Sequence, residues 1–414
     1  MSASPVREAT GKRASVRVLA CCGGMISPTG AERMTFEALG ALREQGADVH
    51  CVLSGWGSTQ IEPMAERIGA SWSTGGYHVK FNRHARRPLA VLRQVWDIVV
   101  TSAHLVRQAI RFQPTHLLVP DHVTVIRNYP AILMLRACGI PSVMRLCNAP
   151  DVTPFYRRVW RHVVDPVTDR FVCNSKFSWN ALLENGVDPA KTSIIRGVPS
   201  RRPASRVPAR KDTRRVIFIG QVTPPKGVRE MLEAVAILLR RGLDVNVDVV
   251  GKVEGWLAPE YGDYWTELRQ RADQEDLAGR VRFLGWREDV DALLKESAVH
   301  CCPSLPEIRE SFAGVVLEAK AAGIPSVVFP TGGLPEAIEH GVDGWVCASC
   351  SAQDLAAGLD YFLSDDGRRE RAGAVASEQF GAGARTSFAH AWWAVMKSAA
   401  SGSTLPLKET QHPA

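Results

Sequence analysis

The sequence predicts an α/β protein with two parallel-sheet domains, and three observations carry that expectation. Apolar, strand-like runs alternate with amphipathic helical stretches along nearly the whole chain. The alternation breaks once, at the Pro- and Arg-rich stretch PSRRPASRVPARKDTRR near residues 199–215, and then starts afresh. A length of 414 residues also exceeds what one ordinary hydrophobic core accommodates.

Taken in order, SVRVLAC reads as a strand, GGMISPTG as a glycine-bearing loop, and AERMTFEALGALREQG as a helix closed by Gly46. DVHCVLS is the next strand, and HLLVP, PSVMRLC and RFVCNS supply three more with helices between them. After the linker a second series opens at VIFIG and runs through VNVDVVG, VRFLG, HCCPS, PSVVFP and GWVCA. The expected organisation is a flexible N-terminal segment at 1–14, a first Rossmann-like domain at 15–200 and a linker at 201–214. A second Rossmann-like domain follows at 215–380, then a helix at 381–398 that crosses back to the first domain, and a disordered tail at 399–414. Two such halves are expected to face a central cleft at the carboxyl ends of their sheets.

With 45% apolar and 22% charged residues, the chain is neither disordered nor fibrous. No uncharged apolar run approaches the ~20 residues of a membrane span. Lys12 and Arg13 before VRVLACC resemble a signal sequence superficially, but Arg17 interrupts the run, which reads better as a first strand. The ten cysteines are scattered. Cys347 and Cys350 form a lone CxxC without a second pair, so no zinc site is expected. Cys21–Cys22 and Cys301–Cys302 fall in buried strands, where thiols act as small apolar groups. A reducing cytoplasm fits this usage.

The net charge of +7 is unevenly shared: residues 1–200 hold 24 Lys and Arg against 14 Asp and Glu, a net +10, and the remainder is −3. A basic half suits nucleic acid, an anionic membrane surface, or simply a solvated face. Residues 80–111, KFNRHARRPLAVLRQVWDIVVTSAHLVRQAIR, join a basic cluster to an apolar helical stripe, and FYRRVWRH at 155–162 is a second basic and aromatic cluster. The ordinary reading is a helix packing its apolar face on its own sheet. Peripheral contact with an anionic membrane, at its inner face, is the sharper one.

The chemistry concentrates in PSLPEIRESFAGVVLEAKAAGIPSVV. HCCPS ends a strand, LPEIRESF is a loop, and GVVLEAKAAG is a helix stopped by Gly323 and Pro325. The first amides of that helix, at Gly314 and Val315, form with its dipole an anion site suited to a diphosphate. Glu318, about one turn in, can accept hydrogen bonds from ribose hydroxyls. Glu310, before the helix, sits where a sugar beyond the diphosphate would lie. A glutamate in a first helical turn is often only a complement to the dipole, so the context matters. VIFIGQVTPPKGVREMLEAV gives a strand, a loop bearing Lys226–Gly227, and a helix. A lysine so placed can offset charge that builds up as a bond to diphosphate breaks.

These blocks, FIGQVTPPKGV, VRFLGWREDV, PSLPEIRESFAGVVLEAKAAGIPSVV, TGGLPEAI and HGVDGWV, resemble in order the family-4 retaining glycosyltransferases (glycosyl transferases group 1) over roughly residues 215–350. PTGAERMTFEALGALREQGADVHCVLS and FVCNSKFSWNALLENGV match more loosely. The resemblance implies the GT-B fold and a hexosyltransferase that moves a sugar from a nucleoside-diphosphate sugar, with UDP favoured, to an acceptor hydroxyl. A saccharide or lipid-linked acceptor and a place in polysaccharide or glycolipid biosynthesis go with it. It further implies Glu310 on the donor-sugar hydroxyls, Glu318 on the ribose, and Lys226 with the Gly314 and Val315 amides on the diphosphate. Gly30, after Thr29, would let the first loop approach donor phosphate or acceptor.

Two positions depart from the family. The basic residue after the phosphate-loop glycine is Gln221, which brings no charge, leaving Arg229 and Lys252 as compensating candidates. The histidine that many relatives carry at the end of an N-domain strand is Cys147, followed by Asn148. Asn148 and His122, the latter on the loop after HLLVP, are therefore the acceptor-side candidates. No cofactor, no metal and no nucleic acid are expected: Asp289-Val-Asp291 opens a helix, where acids are ordinary. The resemblance implies that a leaving-phosphate oxygen takes the acceptor proton; a double displacement would need a carboxylate nucleophile, and no candidate is convincing. Domain closure would exclude water. A sugar-nucleotide epimerase of the same fold, or a catalytically inactive nucleotide-sugar binder, are the alternatives. The first would call for acid/base residues in the N-terminal half, and the second would make the changes at Gln221 and Cys147 scars of lost activity.

Overall fold

The computed structural model describes residues 16–77, 88–200, 214–252 and 261–403. The N-terminal segment 1–14, the basic run at 80–87, most of the linker (201–213), most of the GKVEG loop and the end of the tail (404–414) lie outside the described residues. The chain forms two compact units. The first runs up to Gly197 and resumes at Arg385, and the second is Val198–Ala384.

In the first unit seven strands, β1 (Arg17–Cys22), β2 (Asp48–Leu53), β3 (Ser71–Thr74), β4 (His116–Val119), β5 (Ser142–Arg145), β6 (Arg170–Cys173) and β7 (Thr192–Ile194), make one sheet. Their order is β3-β2-β1-β4-β5-β6-β7, with every pair parallel. Parallel sheets are covered on both faces, which is why β1 after Arg17 reads as a continuous apolar run rather than an alternation. Leu19, Val119, Met144, Phe171 and Trp160 centre the core. Sequence reading passed over β3, because SWST is polar and sits at the sheet edge.

The helix Pro88–Phe112 departs from the ordinary reading given above. Its inward face is largely polar, with Asp97, Thr101, Ser102 and Gln108 buried beside Leu105 and Ala109. Arg127 donates to Asp97 Oδ2 from Nε at 2.9 Å and Nη2 at 2.5 Å, and Thr101 Oγ1 donates to the Arg127 carbonyl at 2.8 Å. Because these polar groups claim the inner face, the apolar stripe turns outward: Leu89, Leu92, Trp96 and Val99 are exposed.

The last helix, Ala382–Ser401, extends three residues into the expected tail, since the Ala-Ala-Ser at 399–401 prolongs it until Gly402. From Arg385 it belongs to the first unit. Arg385 bonds Glu37 and Glu44, His116 Nε2 donates to the Met396 carbonyl at 2.8 Å, and Arg170 Nη2 donates to the Ser398 carbonyl at 3.1 Å.

The second unit holds β8 (Arg215–Ile219), β9 (Asn246–Val250), β10 (Val281–Gly285), β11 (Val299–Cys302), β12 (Ser326–Val328) and β13 (Gly344–Val346). They are ordered β10-β9-β8-β11-β12-β13, again all parallel. The helix Val228–Arg240 buries Val228, Met231, Leu232, Val235 and Leu238 at three- and four-residue steps, an apolar stripe facing the sheet.

Each sheet has one place where strand order reverses: between β1 and β4 in the first, and between β8 and β11 in the second. In open parallel sheets, ligands bind beyond the carboxyl ends of the strands at that reversal. The loops leaving β8 and β11 are those that carry Gln221–Lys226 and Glu310. The loops leaving β1 and β4 lead into the helices that open at Gly30 and His122.

Candidate functional site

The β8 and β11 loops are fastened to each other. Gly227 takes φ 71°, and a Cβ there would lie 1.9 Å from the Pro303 carbonyl oxygen, so only glycine lets the two loops approach this closely. The Leu305 amide donates to the Pro225 carbonyl at 2.8 Å. Glu310 is then held from behind. Arg309 before it sits at φ 48°, a left-handed conformation that a non-glycine residue keeps only when its surroundings impose it. The Gly333 amide donates to the Glu310 carbonyl at 2.8 Å, and Gly332 at φ 58° presses against the same carbonyl where a Cβ would come within 2.1 Å.

Across the fastened loops Lys226 Nζ donates to Glu310 Oε2. Both side chains are mostly buried, 19% and 16% exposed. Burial opposes the Lys226 charge, yet the facing Glu310 carboxylate, Cys302 and the hydrogen bond to Glu310 outweigh it, holding the ammonium above its ordinary pKa. Lys226 is therefore a firmly charged cation, unsuited to act as a base. Burial pushes the neighbouring Cys302 thiol up to about 11, so it is neutral.

The helix Gly314–Ala321 starts without a side-chain cap, so the amides at Gly314 and Val315 have no intrahelical acceptor and point into the loop region ahead of it. Glu318 is buried in this helix, and Ser200 Oγ donates to its Oε1 at 2.5 Å. A hydroxyl already sits on the carboxylate expected to take ribose hydroxyls. Sequence reasoning missed Ser200, because the contact joins residues 118 positions apart.

Gln221 stands in the β8 loop, where its carbonyl accepts from the Thr223 amide at 3.1 Å. Of the two compensating candidates, Arg229 is committed elsewhere: its guanidinium bonds Glu267 on the exposed surface. The backbone of Lys252 lies beside the loop, its carbonyl accepting from the Val222 amide at 3.4 Å.

In the first unit Gly30 opens the helix Gly30–Glu44, and a Cβ there would meet nothing within 4 Å. The fold does not need this glycine, and the space in front of it is open. His122 is the first residue of the helix His122–Arg127 rather than a loop residue, because Asp121 caps that helix by accepting from the Thr124 amide at 2.7 Å. Its ring rests against Tyr156 and Trp160, with centroids 5.9 and 5.4 Å away. Asn148 is exposed. Cys147 is bound into the scaffold: its thiol accepts from Arg145 Nη1 at 2.9 Å and donates to the Pro120 carbonyl at 3.2 Å. Burial raises its pKa, so it cannot replace a histidine as a proton carrier.

Beside it lies a cluster that sequence reasoning also missed. Glu32 bonds the Thr29 hydroxyl, Arg145 Nη1 donates to Thr35 Oγ1 at 3.0 Å, and burial raises the Glu32 carboxyl. The Thr-x-x-Glu spacing of Thr29 and Glu32 was the available signal, although it reads only as a helix start. Among the described residues, no three His, Cys, Asp or Glu converge to hold a metal.

Residues 201–379 match the family model described as glycosyl transferases group 1. The chain is 31% identical over 258 residues to a D-inositol 3-phosphate glycosyltransferase of Mycobacterium marinum, covering 60% of this chain and 52% of that one. It spans a third to about half of the length of the curated relatives it matches. Among solved structures, a glycosyltransferase from Rickettsia africae ESF-5 superposes with a TM-score of 0.72 at 15% identity, covering 94% of this chain and 99% of that one. Anabaena Alr3699/HepE in complex with UDP and glucose superposes with a TM-score of 0.71 at 20% identity, covering 92% and 100%. The two parallel-sheet domains thus have the GT-B fold.

Proposed function

We propose that the protein is a family-4 retaining hexosyltransferase that moves a sugar from a UDP-sugar to the hydroxyl of a saccharide or lipid-linked acceptor, in polysaccharide or glycolipid assembly. The observation that carries this is the Lys226–Glu310 ion pair at the strand-order reversal of the second sheet, beside an uncapped helix that bears Glu318 one turn in. The matched family model over residues 201–379 supports it, and the fold shared with a protein crystallised with UDP and glucose supports the choice of nucleotide. In this reading, Lys226 and the Gly314 and Val315 amides hold the diphosphate, Glu318 the ribose and Glu310 the donor sugar. The bond from the anomeric carbon to the leaving phosphate oxygen breaks as the acceptor oxygen bonds to the same face. The acceptor proton passes to the departing diphosphate. Lys226, as a permanent cation, offsets the charge that appears there. His122 and Asn148 serve the acceptor, no metal is required, and the protein works on the cytoplasmic side of a membrane in peripheral contact with it. Ten free thiols agree with a reducing compartment.

The test screens UDP-, GDP- and ADP-sugars for binding, then measures release of nucleoside diphosphate with a membrane extract as acceptor, with and without EDTA. Release from one donor at an EDTA-insensitive rate, with the product anomer matching the donor by NMR, is the expected result. Binding without release under any acceptor would leave a nucleotide-sugar binder, in line with the neutral residues at Gln221 and Cys147.

A further inference from the structure

We propose that the outward face of the helix Pro88–Phe112 is a docking surface for an anionic lipid bilayer, on which the helix lies in the plane of the interface. Leu89, Leu92 and Trp96 are 67%, 65% and 68% exposed, and Val91, Val95, Val99 and Ile110 are exposed with them. At 3.6 residues per turn these side chains cover one broad arc opposite Asp97, Thr101, Leu105 and Gln108, the residues that hold the helix to its domain. A soluble surface rarely leaves so many large apolar groups together in water.

Charge identifies the occupant. Arg93, Arg107 and Arg111 are exposed along one border of the arc, and the only acid in the helix, Asp97, is buried against Arg127. Arg83, Arg86 and Arg87 precede the helix in sequence. An acid-free face of apolar groups edged by arginines matches the chemistry of acyl chains beneath anionic headgroups. A second copy of the chain would bring the same arginines against one another.

The helix is long and apolar enough to cross a membrane. Its second half is anchored, however: Leu105 and Ala109 pack in the core. Spanning would extract them together with the Asp97–Arg127 pair, so the helix lies on the bilayer. Its placement suits an acceptor in that bilayer. Its Thr101 and His104 lie against Gly76 and Gly75 at the carboxyl end of β3, so its exposed first half lies on the carboxyl side of the first sheet. It packs against the helix that begins with His122, which also touches the turn at Trp160–Val164. Just before that turn, Phe155 points outward at 70% exposure beside exposed Arg157 and Arg158.

This deepens the peripheral placement proposed above, and its test reads no sugar transfer, so either idea can fail alone. The full chain is sedimented with vesicles of phosphatidylcholine, with and without phosphatidylglycerol. Binding is expected at least about tenfold tighter to the anionic vesicles. A Leu92→Glu/Trp96→Glu variant should lose at least about tenfold with unchanged melting. Arg93→Gln/Arg107→Gln/Arg111→Gln should erase the lipid preference, about fivefold per arginine. Brominated lipid should quench tryptophan fluorescence in the parent and less in Trp96→Phe, which still binds. Equal binding to both vesicles, full binding by the glutamate variant, or a dimer that this variant disperses while vesicles bind nothing, each overturns the proposal.

Discussion

The ion pair between Lys226 and Glu310 can be weighed with Lys226→Met, Glu310→Gln and the two combined. At contact distance in a medium of effective dielectric about 20, two unit charges attract by about 4 kcal/mol. Burial is the largest single influence on Lys226 and opposes its charge. The net coupling is therefore smaller, about 1–2 kcal/mol. Each single change strands a charge or a donor in a site less than one-fifth exposed. The combined variant strands neither, so it should be more stable than the sum of the singles predicts by that coupling. Urea unfolding followed in the second unit measures this. Turnover should behave differently. In the proposed reading Lys226 meets the leaving diphosphate, so Lys226→Met should lower kcat by about 10²-fold or more, the scale of one lost charge-stabilising donor. Strict additivity of the two single changes to within about 0.3 kcal/mol, together with undiminished turnover by Lys226→Met, would refute both halves of the reasoning.

Three further outcomes follow from the same structure. Gly227→Ala should destabilise the second unit by more than about 1 kcal/mol in urea unfolding, because its φ is left-handed and its Cβ would strike the Pro303 carbonyl. On the proposed ribose role of Glu318, Ser200→Ala should tighten nucleotide binding by about two- to tenfold in calorimetry, since a ribose would no longer have to displace a hydroxyl from that carboxylate. Weaker binding would mean that Ser200 helps hold the ligand. His300 is fully buried, with Nδ1 on Ser326 Oγ at 3.0 Å and Nε2 without a partner, and burial lowers its pKa from 6.5 to about 3. Its depressed pKa leaves stability intact above pH 6.5 and erodes it as pH falls toward 3. By about pH 4.5 the unfolded chain has gained a proton that the folded chain refuses, a loss of about 3 kcal/mol that His300→Gln should remove from the thermal-unfolding profile.

Strands built mostly of apolar residues, such as RVLACC and VHCC, were legible because burial on both faces favours apolar side chains at consecutive positions. SWST escaped, since an edge strand needs no such run. In the candidate site, the placement of residues 226, 310 and 318 on the fold could be read from local context, as the first two stand in loops after strands and the third about one turn into a helix. Their partners could not. Lys226 meets Glu310 across 84 residues, and Ser200 meets Glu318 across 118, distances set by sheet order rather than by spacing. The long helix at Pro88–Phe112 misled for a related reason. Its periodicity is genuine, but periodicity does not say which stripe turns inward, and there a buried Asp97–Arg127 pair decides it.

The closing helix has a practical consequence for anyone who would exchange modules between relatives. Because the chain leaves the first unit at Gly197 and re-enters it at Arg385, the second unit is an insert with two seams, not a C-terminal appendage. A chimera cut only at the first seam would import a foreign last helix. His116 and Arg170 would then have to find new acceptors for protons now given to Met396 and Ser398. Cassettes joined at both 197/198 and 384/385 keep those bonds native, so they should yield well-behaved hybrids where single-junction fusions precipitate.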